Sequence, residues 1–328
     1  MGIPQSKSSP DNGFVLEANP VELGPTGKFK KFPNRSGLKL GTYWWPAEGT
    51  AKAVMLVLHG HGAYIPFEFL ALNPKTPGAP KSYNGSWVQR WNQEGYSVVG
   101  IDYQSCGRSE SIRGLRNDYN RFQNLVDDAL DFVRSVKVSE DPQFGKLPIF
   151  GTGISLGGCV LAHTAHQGGD IFQGCALLAP MLSLEKIKQK PINRILRPFG
   201  ALLNWLVPTW AVIDVPRNTM FPDVQLDLDM DPYMYHGWTR ARTAVELLWA
   251  ADLSVAEMPR MTFPFVVFHS KRDTVNDPEG SAMLFERSQA EDKTLISMDK
   301  MWHSLTCEPG NQEVLQKILE WTNQRVKV

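Results

Sequence analysis

Residues 147–158 read Leu-Pro-Ile-Phe-Gly-Thr-Gly-Ile-Ser-Leu-Gly-Gly, a short apolar run followed by a glycine-rich turn. From Gly153 to Gly157 the turn matches the pattern G-x-S-x-G, which marks a serine held on a sharp turn between a strand and a helix. Such a turn needs neighbours without a Cβ atom, and glycine stands two residues away on each side. The stretch predicts that Ser155 is a nucleophile. The alternative is an ordinary serine in a glycine-rich turn, because so short a pattern also recurs by chance.

The chain around this turn alternates between strand patterns and helix patterns. Continuous apolar runs, typical of strands buried on both faces, occur at Ala53–Leu58, Tyr96–Ile101, Leu147–Phe150, Cys175–Ala179, Phe265–His269 and Thr294–Met298. Amphipathic helix patterns occur at Asn117–Val136, Ser281–Gln289 and Gln312–Trp321. A turn cluster at 33–37 predicts an antiparallel hairpin between Lys28–Phe32 and Leu38–Trp45. The alternation predicts an α/β fold with a mostly parallel central sheet flanked by helices.

The alternation is interrupted between about residues 181 and 253. This part has no clear strand pattern and is dense in large apolar side chains, among them a helical stripe at Ile192, Ile195, Leu196, Phe199, Leu202, Leu203 and Leu206. We interpret it as a helical cap inserted into the sheet domain, where it would line an apolar binding site. The alternative is an additional helical layer with its own core. The predicted division is a loose leader at 1–25, a core at 26–180 and 251–328, and the cap at 181–250.

The composition excludes several classes of function. The 328 residues carry 34 basic and 34 acidic side chains and no long basic run, which disfavours a nucleic-acid partner. The four cysteines are scattered without metal-ligand spacing, which favours a reducing compartment such as the cytoplasm. No secretory leader and no apolar stretch of about 20 residues is found. Neither the phosphate-binding pattern G-x-x-x-x-G-K-[ST] nor the zinc pattern H-E-x-x-H occurs, so we expect no metal and no cofactor.

The first residues, Met-Gly-Ile-Pro-Gln-Ser, match the N-myristoylation pattern, with Gly2 as the acceptor. The alternative is a chance match in a disordered segment. One myristoyl chain gives only marginal membrane binding, so a second contact would be needed. Lys28, Lys30 and Lys31 could supply it, although an exposed strand edge explains them equally well. The pattern predicts a cytoplasmic protein that contacts membranes peripherally.

A serine nucleophile needs a histidine base and a carboxylate that orients the histidine, both at the ends of later strands. Asp273 follows the strand Phe265–His269, and Asp277 is its competitor nearby. We favour Asp273 because it lies closer to the strand end. His303 follows the last predicted strand, and it is the one histidine that comes after the acid in the chain. The other histidines are interpreted as core or surface residues: His59, His61, His163, His166, His236 and His269.

The oxyanion that forms in such a reaction needs backbone N–H donors. The sequence Leu-His-Gly-His-Gly at 58–62 follows the first buried strand and forms an H-G-x-G motif. The backbone N–H groups of His61 and Leu156 are the predicted donors. His59 is expected to brace the loop and not to react.

Four segments give the chain a clear resemblance to the monoacylglycerol lipase and lysophospholipase group of serine α/β-hydrolases. They are LVLHGHG (56–62), GYSVVGIDYQSCGRSES (95–111), GISLGG (153–158) and the tail at 263–311, with its R-D-x-V-x-D-P, D-K-T-L and W-H-x-L-x-x-E elements. The likeness covers about residues 28–326. It implies an α/β-hydrolase fold with an inserted cap, the triad Ser155, Asp273 and His303, an oxyanion hole at His61 and Leu156, and no cofactor.

The chain departs from the group's pattern at two places. The usual G-H-G-x-S-E segment is Ser105-Cys-Gly-Arg-Ser-Glu110 here. An insertion at about 71–83, rich in Pro, Gly and Lys, follows the oxyanion loop. We interpret this insertion as a surface excursion that narrows or regulates the entrance to the site.

The expected function is hydrolysis of one ester bond of a monoacylglycerol or lysophospholipid through an acyl-enzyme. Two alternatives remain open at this point. One is an esterase or acyltransferase acting on other esters, short-chain or phenolic. The other is a lipid-binding protein that has kept the fold without catalysis, against which the complete set of catalytic residues argues.

Overall fold

The computed structural model of the chain describes residues 22–73, 76–185, 189 and 205–326. Gly2, with its predicted lipid-anchor pattern, lies outside the described residues, as does most of the predicted leader. The helical stripe predicted between Ile192 and Leu203 lies outside them too.

Strands and helices alternate over most of the described chain. The described strands are β1 (Lys28–Pro33), β2 (Lys39–Trp45), β3 (Ala53–Leu58), β4 (Tyr96–Ile101), β5 (Ile149–Ile154), β6 (Phe172–Leu178), β7 (Ala211–Ile213), β8 (Thr239–Arg240), β9 (Phe265–His269) and β10 (Lys293–Ser297). The described α-helices are α1 (Ile65–Phe69), α2 (Trp87–Gln93), α3 (Phe122–Lys137), α4 (Leu156–Gly168), α5 (Pro222–Met230), α6 (Ala241–Glu257), α7 (Pro278–Arg287) and α8 (Asn311–Asn323).

Eight of these strands form one sheet in the order β1-β2-β4-β3-β5-β6-β9-β10. Strand β2 is antiparallel to β1 and β4, and the remaining neighbours are parallel. The prediction of a mostly parallel sheet that begins with an antiparallel hairpin is confirmed. The carboxyl ends of β3, β5, β6 and β9 therefore lie along one edge of the sheet, where ligands bind in open α/β folds.

The central strand β3 shows why its sequence is continuously apolar. Alternate residues starting at Val54 pack into a cluster with α3 and α4 on one face of the sheet. Alternate residues starting at Ala53 pack into a second cluster with α2 and α8 on the other face. All six residues of β3 are fully buried, and burial of each large aliphatic side chain contributes about 1.5–3 kcal/mol. Helices thus cover the sheet on both faces, as the alternating sequence predicted.

Some predicted boundaries move. Strand β5, predicted to end at Phe150, continues through the glycines to Ile154, because Gly151 and Gly153 pair with β3 and β6. Helix α3, predicted from Asn117, begins at Phe122. Asn117 has a φ of 54°, which is incompatible with a right-handed helix.

In the cap region, β7 and β8 form a small antiparallel pair, followed by α6. The predicted boundary between residues 250 and 251 falls inside α6. Among the described residues, no helix combines the length and the apolar character that crossing a bilayer requires.

The insertion at 71–83 differs from the surface excursion expected for it. Lys81 is 1% exposed, and its Nζ lies 2.9 Å from Asp227 Oδ2 and 3.5 Å from Asp231 Oδ2. The backbone N–H of Gly78 also donates to Asp227 Oδ1, at 2.6 Å. Asp227 belongs to α5 of the cap region, and Asp231 follows this helix. A lysine in a proline- and glycine-rich segment gave no indication of this buried ion cluster, which joins the insertion to α5 and to the residue that follows it.

Candidate active site

Ser155 stands at the turn between β5 and α4 in a strained conformation. Its φ of 55° and ψ of −117° lie outside the regions that residues with a side chain usually adopt. Three backbone hydrogen bonds hold it there: its N–H donates to Leu178 O (2.8 Å), and its carbonyl accepts from the N–H groups of Met181 (3.0 Å) and Cys159 (3.2 Å). Such strain persists only where the surrounding structure imposes it.

The glycines beside Ser155 are required by close approach of the backbone. A Cβ atom on Gly153 would lie 2.3 Å from the carbonyl oxygen of Gly157. A Cβ atom on Gly157 would lie 2.3 Å from Leu58 O and 2.6 Å from His59 O. The start of α4 therefore packs directly against the end of β3. This contact brings the H-G-x-G loop beside Ser155. The lack of space for a Cβ atom at Gly153 and Gly157 explains why the G-x-S-x-G motif has glycine at these positions.

Asp273 and His303, predicted from separate strand ends, meet in the structure. His303 Nδ1 donates to Asp273 Oδ2 at 2.7 Å, although the two residues are 30 positions apart in the chain. The other oxygen, Oδ1, accepts from the backbone N–H groups of Val275 (2.7 Å) and Asn276 (3.0 Å). With its proton fixed on Nδ1, the neutral imidazole has Nε2 as an acceptor. Asp277, the competing carboxylate, stands instead at the N-cap position of α7.

A second histidine shares the carboxylate. His269 Nε2 lies 3.0 Å from Asp273 Oδ2, and its Nδ1 lies 2.7 Å from Ser281 Oγ. Burial by itself raises the pKa of Asp273, but the two imidazoles outweigh it and the net pKa lies well below its ordinary value. Asp273 is therefore ionised at neutral pH. From the sequence, His269 was interpreted as a core or surface residue.

Glu308 fixes the loop that carries His303. Its carboxylate is fully buried and accepts from the backbone N–H groups of Trp302 (2.6 Å), His303 (3.1 Å) and Ser304 (2.9 Å). Burial lowers the pKa of His303, while Asp273, Glu308 and Glu68 raise it; the net pKa is raised above its ordinary value of 6.5. The carboxylates thus stabilise the imidazolium that a general base becomes.

The H-G-x-G loop is ordered from both sides. His59 is fully buried, with Nε2 accepting from Tyr103 N at 3.0 Å and Nδ1 contacting Gly60 O at 2.8 Å, so it braces the loop as predicted. Burial lowers its pKa to about 3 and that of His61 to about 4, which leaves both imidazoles neutral. Among the described residues, the backbone N–H groups of His61 and Leu156 have no hydrogen-bond acceptor.

The cap region contacts the same loop. His61 Nε2 lies 3.0 Å from Thr239 Oγ1 of β8 and 3.0 Å from Asn117 Nδ2. The backbone N–H of Tyr235 donates to Gly62 O at 2.8 Å. The position of the loop therefore depends on the cap as well as on the core.

A cavity of about 500 Å³ opens beside Ser155 and His303. Its wall is mostly apolar and is shared by core and cap, including Ala63, Phe67, Ile154, Met181, Leu184, Val212, Val224, Leu228, Met234, Leu247 and Leu248. Such a volume and lining are typical of a site for a small apolar ligand. Glu68 is a polar exception: it is 8% exposed, its Oε2 accepts from Thr306 Oγ1 at 2.8 Å, and burial raises its pKa.

Two polar residues of the site, Asn276 and Glu68, were not singled out from the sequence, and His269 was interpreted only as a core or surface residue. Asn276 Nδ2 lies 3.3 Å from Ser155 Oγ and 2.7 Å from Ala179 O. Asn276 is three residues from Asp273, and this proximity was the only available signal. Among the described residues, no group of three or more His, Cys, Asp or Glu side chains could hold a metal ion.

Comparisons with known proteins extend over most of the chain. The model of the family Hydrolase_4, described as serine aminopeptidase, S33, matches residues 81–310. A monoglyceride lipase of Rattus norvegicus is 26% identical over 300 residues, 90% of each chain. A caffeoylshikimate esterase of Arabidopsis thaliana is 30% identical over 292 residues, 86% of this chain and 81% of the relative. Among solved structures, a soluble variant of the monoglyceride lipase of Saccharomyces cerevisiae in complex with a substrate analogue superposes with a TM-score of 0.70 at 17% identity, covering 96% and 98% of the two chains.

Proposed function

Because the chain belongs to the Hydrolase_4 family of serine hydrolases and is a serine carboxylic ester hydrolase, we propose that its substrate is a monoacylglycerol or a lysophospholipid. The single observation that carries this proposal is the apolar cavity of about 500 Å³ that opens beside Ser155 and His303. A cavity of this kind accepts the hydrocarbon chain of an ester while its carbonyl lies at the serine.

We propose that Ser155 is the nucleophile, His303 the base and Asp273 the orienting acid. His303 Nε2 takes the hydroxyl proton while Ser155 Oγ attacks the ester carbonyl carbon. The carbonyl oxygen becomes an oxyanion, which accepts from the backbone N–H groups of His61 and Leu156. Supporting this scheme, both N–H groups are unpaired among the described residues, and Asp273 fixes the tautomer that leaves His303 Nε2 as an acceptor.

The first tetrahedral intermediate collapses when the bond to the alcohol breaks. His303 gives its proton to the alcohol oxygen, and the acyl group remains on Ser155. In the second half-reaction His303 takes a proton from water, and the hydroxide oxygen attacks the acyl carbon. The bond to Ser155 Oγ then breaks, the serine recovers a proton, and the fatty acid leaves.

A second candidate substrate class is a phenolic ester. It is favoured by the similarity to the caffeoylshikimate esterase of Arabidopsis thaliana at 30% identity. Delivery of the acyl group to an alcohol instead of water belongs to the same chemistry. The cavity's aliphatic wall at Leu184, Leu228, Leu247 and Leu248 supports a long acyl chain over a planar aromatic group.

The test combines covalent labelling with a substrate panel. The wild-type protein should react with a fluorophosphonate probe, and the Ser155→Ala variant should not. Purified protein should then hydrolyse long-chain monoacylglycerols faster than butyrate or caffeoyl esters of matched solubility. Labelling without lipid hydrolysis, together with fast caffeoyl ester hydrolysis, would favour the phenolic substrate. Lipid binding without labelling would favour the alternative that the protein binds lipids without catalysing a reaction.

We also propose that residues 181–250 act as a cap domain over the core and that this cap meets a lipid surface. Exposed tryptophans on its described part support this: Trp205 is 78% exposed, Trp210 66% and Trp238 51%. Exposed apolar side chains are typical of interaction surfaces where they form a contiguous patch.

N-myristoylation of Gly2 would add a second anchor to a cytoplasmic protein. Cells labelled with a myristate analogue should transfer it to the wild-type chain and not to the Gly2→Ala variant. If both chains partition equally between cytosol and membrane fractions, a lipid anchor at Gly2 does not contribute to membrane binding.

A further inference from the structure

The side chain of Asn276 contacts Ser155 Oγ, the proposed nucleophile. The proposed scheme assigns no role to this contact. Asn276 is 4% exposed, and its amide Nδ2 lies 3.3 Å from Ser155 Oγ. The same nitrogen donates to the backbone carbonyl of Ala179 at 2.7 Å. Because a carbonyl oxygen can only accept, the nitrogen and not the oxygen of this amide must face Ala179 and Ser155.

The position of Asn276 is fixed by the acid of the triad. Its backbone N–H donates to Asp273 Oδ1 at 3.0 Å, while Oδ2 of the same carboxylate holds His303 at 2.7 Å. The carbonyl that holds its side chain is also held, because Ala179 N–H donates to Phe268 O at 2.7 Å. The hydrogen bonds of Asp273 therefore position both the Asn276 amide and the His303 imidazole near Ser155.

The contact with Asn276 determines which hydrogen bonds the Ser155 hydroxyl can accept and donate. A hydroxyl has one proton to donate and two lone pairs that accept. Asn276 donates to one lone pair of Ser155 Oγ, so the hydroxyl proton cannot be given to Asn276. It remains available to His303 Nε2, whose lone pair is exposed because the imidazole proton lies on Nδ1 against Asp273.

We propose that Asn276 is a further catalytic residue, which donates a hydrogen bond to Ser155 Oγ when this oxygen leaves the acyl group during deacylation. This inference rests on the proposed acyl-enzyme mechanism. The bond between the acyl carbon and Oγ breaks, its electron pair moves onto Oγ, and the proton on His303 Nε2 passes to Oγ. Hydrogen bonds to charged oxygens are shorter and stronger than neutral ones, so the 3.3 Å contact is expected to tighten as charge grows.

The same reasoning predicts an unequal effect on the two half-reactions. An ester oxygen accepts hydrogen bonds less well than a hydroxyl or alkoxide oxygen. The Asn276 contact therefore stabilises the free serine more than the acylated serine. It assists release of the acyl group and gives acylation little help.

The experiment separates acylation from deacylation in the Asn276→Ala variant. With a p-nitrophenyl ester, nitrophenol released in the first turnover reports acylation, and the steady-state rate reports deacylation once an acyl-enzyme accumulates. We expect the steady-state rate to fall about 10- to 100-fold. Fluorophosphonate labelling should change less than about 3-fold, and the burst should approach one nitrophenol per enzyme.

Two further variants keep the result interpretable. Asn276→Leu keeps the branched shape of the side chain without any hydrogen-bond donor, and it should show the same imbalance if Asn276→Ala fails to fold. Asn92→Ala is the matched control, because Asn92 is a fully buried asparagine whose Nδ2 donates to Trp45 O and Tyr96 O and which does not line the cavity beside Ser155. It should lower the melting temperature and leave the ratio of labelling to turnover unchanged.

Equal losses in labelling and turnover in both Asn276 variants would overturn the inference, because they would indicate a structural brace only. Unchanged turnover in a folded Asn276→Leu variant would overturn it as well. Failure of the proposed function gives a different result: the wild-type protein itself would neither label nor hydrolyse esters.

Discussion

The two walls of the cavity are built in different ways. The floor, formed by the strand ends and the loops carrying Ser155, Asp273 and His303, consists of buried groups joined by short hydrogen bonds to backbone and carboxylates. The roof, formed by described residues of the proposed cap at 181–250, exposes large apolar side chains such as Trp210 and Trp238 to solvent. The roof is joined to the rest of the molecule by polar contacts, such as Lys81 with Asp227 and Asn218 with Glu308, and by a small apolar cluster that packs Tyr233 and Met234 against the core.

This difference indicates that the floor determines the chemistry, while the roof determines which substrates bind. Reacting groups must keep their geometry within fractions of an ångström, and a buried floor held by many hydrogen bonds provides this. A roof that admits a lipid must move or meet an apolar surface, and the apolar side chains exposed on this roof suit it to the second. Changes in the floor should therefore act on turnover, and changes in the roof should act on KM and on partitioning to lipid.

The strongest test of the floor is Ser155→Ala. We expect ester hydrolysis to fall about 10⁶-fold, because the covalent pathway is lost. Melting temperature should stay close to that of the wild type, since the backbone strain at this position is imposed by its neighbours. Retention of the parental rate on a long-chain monoacylglycerol would remove Ser155 from the mechanism.

Asp273→Asn should be nearly as damaging, with turnover lowered about 10⁴-fold in a folded protein. The amide cannot fix His303 in the tautomer that leaves Nε2 as an acceptor. Asp277→Asn is the matched control and should act mainly on the start of α7, where Asp277 is the N-cap residue. A crippling effect of Asp277→Asn beside a mild effect of Asp273→Asn would reverse the assignment of the acid.

Lys81→Met tests how the roof is attached. Removing the ammonium leaves Asp227 and Asp231 buried without their counter-charge, which should destabilise the protein by about 3–5 kcal/mol. KM for a lipid ester should rise more than kcat falls. Lys81→Met combined with Asp227→Asn and Asp231→Asn should recover much of the stability measured by denaturant unfolding. A fall in kcat alone would contradict the division between floor and roof.

Trp210→Ser should weaken binding to phospholipid vesicles a few-fold while hydrolysis of a short water-soluble ester stays the same. The tryptophan is 66% exposed, so its loss removes apolar surface from the roof without opening the core. Val138→Ser, which removes a side chain that is 72% exposed at the end of α3, is the control on the core's surface. Equal effects of the two substitutions in vesicle co-sedimentation would mean that the roof binds lipid no better than the surface of the core does.

The smallest expected effect concerns the pH profile. His303 must be neutral to act as a base, so kcat/KM should fall as pH drops through its pKa, which is raised above the ordinary value of 6.5. Glu68 is one of the carboxylates that raise it, together with Asp273 and Glu308. Glu68→Gln should therefore lower this pKa and move the acid limb to lower pH by less than about one unit. Glu313→Gln, at an exposed site, should leave the limb in place.

Local signals in the sequence were sufficient for much of the fold. The fully buried run Ala53–Leu58 was predicted with its observed bounds, because a strand covered on both faces must be apolar at every position. The pattern around Ser155 also identified its glycines, since the reason for each lies within a few residues. Helix α3 was placed with its first turn wrong, because Asn117 adopts a positive φ that amphipathic spacing cannot reveal.

The sequence by itself determined the alternating α/β architecture, the serine turn and the order of the candidate acid and base, since periodicity and motifs are short-range properties of the chain. Only the tertiary structure decided that Asp273 is shared by His303 and His269, that Glu308 fixes the histidine loop, and that Asn276 reaches Ser155. It also decided that Lys81 is buried against two cap aspartates. These contacts join residues far apart in the chain, and a side chain's partner is set by how the strand ends converge at one edge of the sheet.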